Sequence, residues 1–113
     1  MKNIHPPLMV RWLDSPRQAK LSIGKICSCL CSFYSNGKAD IMMIDNFQTK
    51  KEFRGKGYGT KLINKAINLA KKNKVDSVEL VVNKDNKIAK RLYEKTGFKK
   101  TKKDYYRLIL NKW

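Results

Sequence analysis

One stretch limits the possible folds more than any other: Phe53-Arg54-Gly55-Lys56-Gly57-Tyr58-Gly59-Thr60, a basic turn with glycine at every second position. The apolar run before it, Ile41-Met42-Met43-Ile44 carrying on through Asp45 to Thr49, reads as a strand. After it, Leu62, Ile63, Ala66, Ile67 and Ala70 recur at the three-and-four spacing of one helix face. A strand that turns through glycines into a helix exposes several backbone N–H groups where the helix dipole is positive. The glycines let the backbone curl without Cβ clashes, and Arg54, Lys56 and Lys61 add charge at the rim. The turn therefore reads as a cradle for an anion, a pyrophosphate in particular. The competing reading is a glycine-rich turn that binds nothing.

Two common phosphate loops do not fit. The P-loop needs four residues between its glycines and a Gly-Lys-Ser/Thr ending. The dinucleotide fingerprint needs G-x-G-x-x-G, whereas Gly55, Gly57 and Gly59 give G-x-G-x-G. Glu79, at the distance of a ribose-binding acid, sits inside an apolar run. With 113 residues the expectation is a single domain over 1–113, with too little chain for a doubly wound sheet.

The rest of the chain supplies strands and a second helix. Leu8–Leu13 reads as a strand, Asp14–Arg17 as a turn, and Lys20–Tyr34 as one extended run. Ser35-Asn36-Gly37-Lys38 is a hairpin signal of the type I′ kind, leading into the strand before the glycine loop. Val75–Val82 is short, apolar and β-branched, an interior strand, so strand, helix and strand form a βαβ crossover with a parallel pair. Asn83–Asn86 offer N-caps for a helix with Ile88, Ala89 and Leu92 as its apolar stripe and Tyr93 at the stripe's edge. Gly97 stops that helix. A polar connection over 99–104 then precedes a last strand carrying Tyr105 and Tyr106.

The net charge of +17 raises the local concentration of any polyanion, which makes nucleic acid a possible partner. Only five of the 26 basic residues are arginine, however, and the lysines are scattered without interleaved aromatics. Biased genome composition explains the same charge, and both readings stand. No stretch reaches the ~20 apolar residues of a membrane span, and residues 1–7 carry no signal-peptide core, so no membrane partner and a cytoplasmic location are expected. Cys27, Cys29 and Cys31 alternate on one strand face. Same-face positions about 6.6 Å apart are too distant for three thiolates on one zinc, so these cysteines read as small buried hydrophobes, and no metal is expected.

Arg54, Gly57 and Gly59 occupy the positions of an Arg/Gln-x-x-Gly-x-Gly/Ala pattern, and the loop resembles the pyrophosphate loop of the GNAT acetyltransferase superfamily. Asn86-Lys87-Ile88-Ala89-Lys90-Arg91-Leu92-Tyr93-Glu94-Lys95-Thr96-Gly97-Phe98 resembles that family's Asn-x-x-Ala-x-x-x-Tyr-x-x-x-Gly-Phe segment. The two blocks stand in the family's order and separation, and with their strands cover about residues 39–110.

The resemblance implies an α/β fold: a mixed, mostly antiparallel sheet with a central parallel, splayed strand pair and flanking helices. It implies an N-acetyltransferase that uses acetyl-CoA as cosubstrate and passes the acetyl group directly to an amine through a ternary complex. The acceptor expected is a protein or peptide amine, because the stretch from Ser15 to Lys20 is too short for the family's two helices there and leaves the acceptor side open. The cofactor-binding residues implied are Phe47, Gln48, Thr49, Arg54, Gly55, Lys56, Gly57, Tyr58, Gly59, Thr60, Asn86 and Tyr93. Tyr93 is also the implied general acid, a phenol that stays protonated at neutral pH yet can protonate a thiolate. For the base Asp45 is favoured over Asp40; without a bulge it would share a face with Thr49. A water relay is the alternative, and His5 receives no role. The rival reading is a basic nucleic-acid-binding module on a catalytically inactive acetyltransferase fold.

Overall fold

Alternation builds the sheet. A computed structural model describes residues 8–13, 17–83, 85–102 and 105–110. In it β1 (Leu8–Trp12), β2 (Gln18–Ile23), β3 (Cys27–Ser35) and β4 (Asp40–Thr49) run as an antiparallel meander. Ala19, Leu21 and Ile23 of β2 and Cys27, Cys29, Cys31 and Phe33 of β3 bury one face, with more polar residues between them on the other. The 15-residue helix α1 (Tyr58–Lys72) carries the chain across to β5 (Ser77–Val81), which lies parallel to β4. Helix α2 (Lys87–Lys95), β6 (Lys99–Lys102) and β7 (Tyr105–Ile109) complete a seven-stranded sheet in the order β1-β2-β3-β4-β5-β7-β6. The sheet is mixed and mostly antiparallel, with one central parallel pair, as expected.

Three local expectations are corrected. The extended run from Lys20 to Tyr34 is broken: Gly24 takes φ 51° and Ile26 N–H donates to the Ile23 carbonyl at 2.9 Å, so two strands form a hairpin where the alternation showed one. The turn after β3 is not type I′, because only Gly37 (φ 90°) has positive φ; Asn36 Oδ1 instead accepts from the N–H groups of Lys38 and Ala39, at 2.9 and 2.8 Å. Residues Lys99–Lys102 form an edge strand on β7 rather than a bare connection, exposed and lysine-rich, a composition that discourages pairing with a further strand. Residues 14–16 of the expected Asp14–Arg17 turn, the histidine at position 5 and residues 103–104 lie outside the described residues.

Both helices pack on the cysteine-bearing face. Leu62, Ile63, Ala66, Ile67 and Ala70 of α1, the residues read as its apolar face, are buried in one cluster with Cys29, Met42, Leu80 and Tyr93. The opposite face, with Ser28, Leu30, Met43, Asp45, Glu79, Tyr105 and Arg107, carries no helix among the described residues. There Arg107 Nε meets Glu79 Oε2 at 3.0 Å. Tyr105 is half-buried on this open face, whereas Tyr106 is buried on the helix face, 3.5 Å from Glu94.

Candidate active site

The parallel pair separates at its carboxyl end. Pairing of β4 with β5 runs from Ile41/Ser77 to Ile44/Leu80 and stops, although β4 continues to Thr49. At that point β4 also slips against β3: Ser28 pairs with Gln48 but Leu30 with Asp45, so Cys29 alone stands opposite Asn46 and Phe47. This is a β-bulge, and Asn46 holds it with φ 51°, a left-handed conformation that asparagine tolerates better than most residues. The bulge reverses the alternation. Asp45, paired with Leu30, faces the open side, while Phe47 returns to the helix side and packs edge-on against Tyr93, ring centroids 5.9 Å apart. The expectation that Asp45 shares a face with Thr49 therefore fails, for the one reason that would defeat it.

The glycine loop closes the other end of this gap. Lys51–Phe53 make a single 3₁₀ turn, and Arg54 Nε donates to the Thr49 carbonyl at 3.1 Å, tying the loop to the strand end. Gly57 is the N-cap of α1 with φ 88°. Among the described residues no side chain caps Gly57, and no acidic residue stands in the first turn, so the helix dipole there favours an anion. A Cβ at Gly55 or Gly57 would meet nothing within 4 Å, which is the room a phosphate group needs. Gly59 does something different: a Cβ there would come 3.3 Å from Leu92 Cδ2, so this glycine lets α1 approach α2.

Helix α2 begins at Asn86, whose side-chain oxygen accepts from Ala89 N–H at 3.1 Å. It ends in a Schellman pair, Phe98 N–H to Tyr93 O at 2.9 Å and Gly97 N–H to Glu94 O at 3.1 Å. Its expected stripe is shifted: Ile88 is 78% exposed, and Tyr93, expected at the stripe's edge, is buried between Phe47 and Phe98. Burial pushes the Tyr93 phenol well above its usual range, with the Cys29 and Cys27 thiols adding to the effect. A hydrogen bond with Cys31 and burial push the Cys29 thiol up, and burial raises Cys27 against a smaller opposing contribution from Thr49. Among the described residues no group of three or more His, Cys, Asp or Glu is arranged to hold a metal ion.

A cavity of about 770 Å³ runs through this gap. Asp45, Phe47, Gln48, Thr49, Arg54, Gly55, Gly57, Tyr58, Gly59, Thr60, Asn86 and Tyr93 all line it. Lys56 does not; its ammonium lies 5.9 Å from the Phe53 ring centroid. Asp40, the lesser base candidate, is at the opposite end of β4, where its N–H bonds to Asp76. Sequence reasoning passed over Arg91 and Lys95, which also line the cavity. Their four-residue spacing on one helix face was the available signal, lost among many lysines.

A strand with a bulge, a splayed parallel partner and a glycine cradle between them define an acyl-CoA-type acetyltransferase fold. The family model for the acetyltransferase (GNAT) family matches residues 6–98, and the chain belongs to that family. It is 40% identical over 85 residues to an uncharacterized N-acetyltransferase of Methanocaldococcus jannaschii; the match covers 73% of this chain and 38% of that relative's length. Among solved structures it is similar to a chain of the NatC complex bound to Gag peptide and CoA, with TM-score 0.72 and 21% identity over 83% of this chain and 71% of that one. It is also similar to a Bacillus subtilis acetyltransferase in complex with CoA, with TM-score 0.67 and 18% identity over 83% and 76% of the two chains.

Proposed function

We propose that this protein is an N-acetyltransferase that moves an acetyl group from acetyl-CoA directly to an amine, within a ternary complex, and that the amine belongs to a protein or peptide. The observation that carries the reading is the continuity of one cavity from the uncapped, glycine-lined start of α1 into the gap where β4 and β5 part. Acetyl-CoA supplies the activated acyl group as a thioester. Gly57, Gly59 and Thr60 would hold its pyrophosphate through backbone N–H groups, with Arg54 beside them. Phe47, Gln48, Thr49 and Asn86 would line the path of its pantetheine arm.

In the reaction the amine lone pair forms a C–N bond to the acetyl carbonyl, the C–S bond breaks, and the amine's proton must leave while the sulfur gains one. A backbone N–H near Phe47–Thr49, released from strand pairing by the bulge and the splay, would stabilise the charge developing on the carbonyl oxygen. Tyr93, held protonated by burial, would give its proton to sulfur from the helix side. Asp45, on the open side, would take the amine's proton there, directly or through water. Tyr93 and Asp45 lie on opposite faces of the sheet, which supports a transfer through the gap. The open face supports a polypeptide acceptor, since no described helix encloses it; in addition, the NatC relative was crystallised with a peptide.

The test is a single-turnover assay with acetyl-CoA against peptide amines and small amines, followed by mass. Acetylated peptide supports the reading; acetyl-CoA binding without transfer to any amine overturns it. The nucleic-acid reading requires instead affinity for a generic duplex that falls steeply with salt, in the absence of acetyl-CoA binding.

A further inference from the structure

On the open face, next to the acyl-transfer gap, lies a second cavity of about 740 Å³. Among the described residues six cations line it: Arg11 of β1, Lys20 of β2, Lys25 of the following turn, Lys50 and Lys51 after β4, and Arg54 of the glycine loop. No acidic residue does so among the described residues. It shares Gln48, Thr49 and Arg54 with the first cavity, so the two form one continuous surface. Its floor is fixed, because Lys50 N–H donates to the Ile26 carbonyl at 2.8 Å and ties the loop to the β2–β3 turn. Within it Arg11 and Lys20 are direct cross-strand partners. Like charges directly opposite one another are destabilising. A bound anion relieves that repulsion.

We infer that this groove selects acceptor polypeptides in which the reactive amine is flanked by Asp or Glu. The inference rests on the acetyltransferase reading above and names the acceptor class for that site. The cations lie on the face where Asp45 is found and where the amine would arrive in the proposed reaction, and, lining one groove, they act together on a ligand within it. That field favours acidic flanks. It also disfavours an ammonium ion, so it shifts the acceptor toward the neutral amine that attack requires. A polypeptide fits better than a nucleic acid on two grounds. Among the described residues no aromatic side chain lines the groove to stack a base. Nucleic acid also offers only weakly nucleophilic ring-conjugated amines.

The experiment compares capped peptides of one length, each with a single lysine amine flanked by Glu, by Gln or by Lys, and a matching set reacting at the amino terminus. The wild-type chain and the Lys20→Glu/Lys25→Glu double variant are assayed at low and high salt; both positions are exposed, and neither has a role in the cofactor site. The expected result is a kcat/KM at least about tenfold higher for Glu-flanked than for Gln-flanked peptide at low salt, shrinking at high salt and abolished in the variant. A small primary amine should react at the same rate with both proteins, and acetyl-CoA should bind both equally in calorimetry. Equal rates across the panel, or an acidic preference that survives the double substitution, overturn the inference. Weakening of acetyl-CoA by the same factor as the peptide also overturns it, assigning the groove to the cofactor's phosphates. If no amine is acetylated the transferase reading fails by itself, and fluorescence anisotropy of a labelled Glu-rich peptide then decides: loss of binding in the double variant upholds the groove, whereas no binding, or displacement by a duplex oligonucleotide at lower concentration, overturns it.

Discussion

Tyr93 is the residue on which the proposed chemistry turns, and its burial makes a sharp experiment possible. Tyr93→Phe keeps the ring between Phe47 and Phe98 and removes only the hydroxyl. Single-turnover acetyl transfer should fall about ten- to a thousandfold with acetyl-CoA affinity nearly unchanged, the usual reach of a positioned acid being about 10²–10⁴. An unchanged single-turnover rate would reduce Tyr93 to a packing residue. Because folding raises this phenol's pKa above the ordinary value near 10, its stabilising contribution is complete below pH 10 and is lost as pH rises through the folded value. Stability measured by urea titration should therefore decline above pH 10 less steeply in Tyr93→Phe than in wild type. Cys27 and Cys29 behave alike: both are buried with raised thiol pKa values, so the folded protein should resist alkylation at neutral pH and react promptly in denaturant.

At the scale of elements, the legible parts were those whose signals are local. The glycine loop, the face of α1, the Asn86 cap and the Gly97 stop each depend on residues within a turn or two, and each is found where the sequence put it. The parts that were missed depend on partners distant in sequence. The alternation of Lys20–Tyr34 continues across Gly24 because both halves of that hairpin bury the same face, so the pattern carried no mark of the turn. The bulge at Asn46 is dictated by how β4 registers on β3, and α2 packs through Ala89, Leu92 and Tyr93, which leaves Ile88 exposed at the cavity. The bulge is testable. Asn46→Gly removes the strain of a left-handed side chain and should leave stability equal or raise it by up to about 1 kcal/mol. Asn46→Val should cost about 1–2 kcal/mol or more and lower transfer more than acetyl-CoA binding, if the bulge sets Asp45 and the carbonyl-facing N–H groups. Equal losses in binding and transfer would show that the bulge serves the strand alone.

Across the whole molecule, the described helices lie on one sheet face and a cation-lined groove on the other, and the proposed reaction brings the cofactor to the first and the acceptor to the second. The central claim is that the glycine loop and the β4–β5 gap form an acetyl-CoA site. Gly57 is the position where that claim is most exposed, since φ 88° limits it to residues that accept the left-handed region, and a Cβ there meets only empty space. Gly57→Asn and Gly57→Asp are nearly equal in shape and tolerate that conformation similarly, so their difference reports the charge facing the pyrophosphate. The decisive measurement is thermal unfolding with and without saturating acetyl-CoA. At about 100 times the dissociation constant the ligand adds about 2.7 kcal/mol, which for a chain of this size raises Tm by about 10 °C. The account predicts that rise for wild type, a smaller one for Gly57→Asn and none for a folded Gly57→Asp. An unmoved wild-type Tm, or an equal rise in Gly57→Asp, would contradict it.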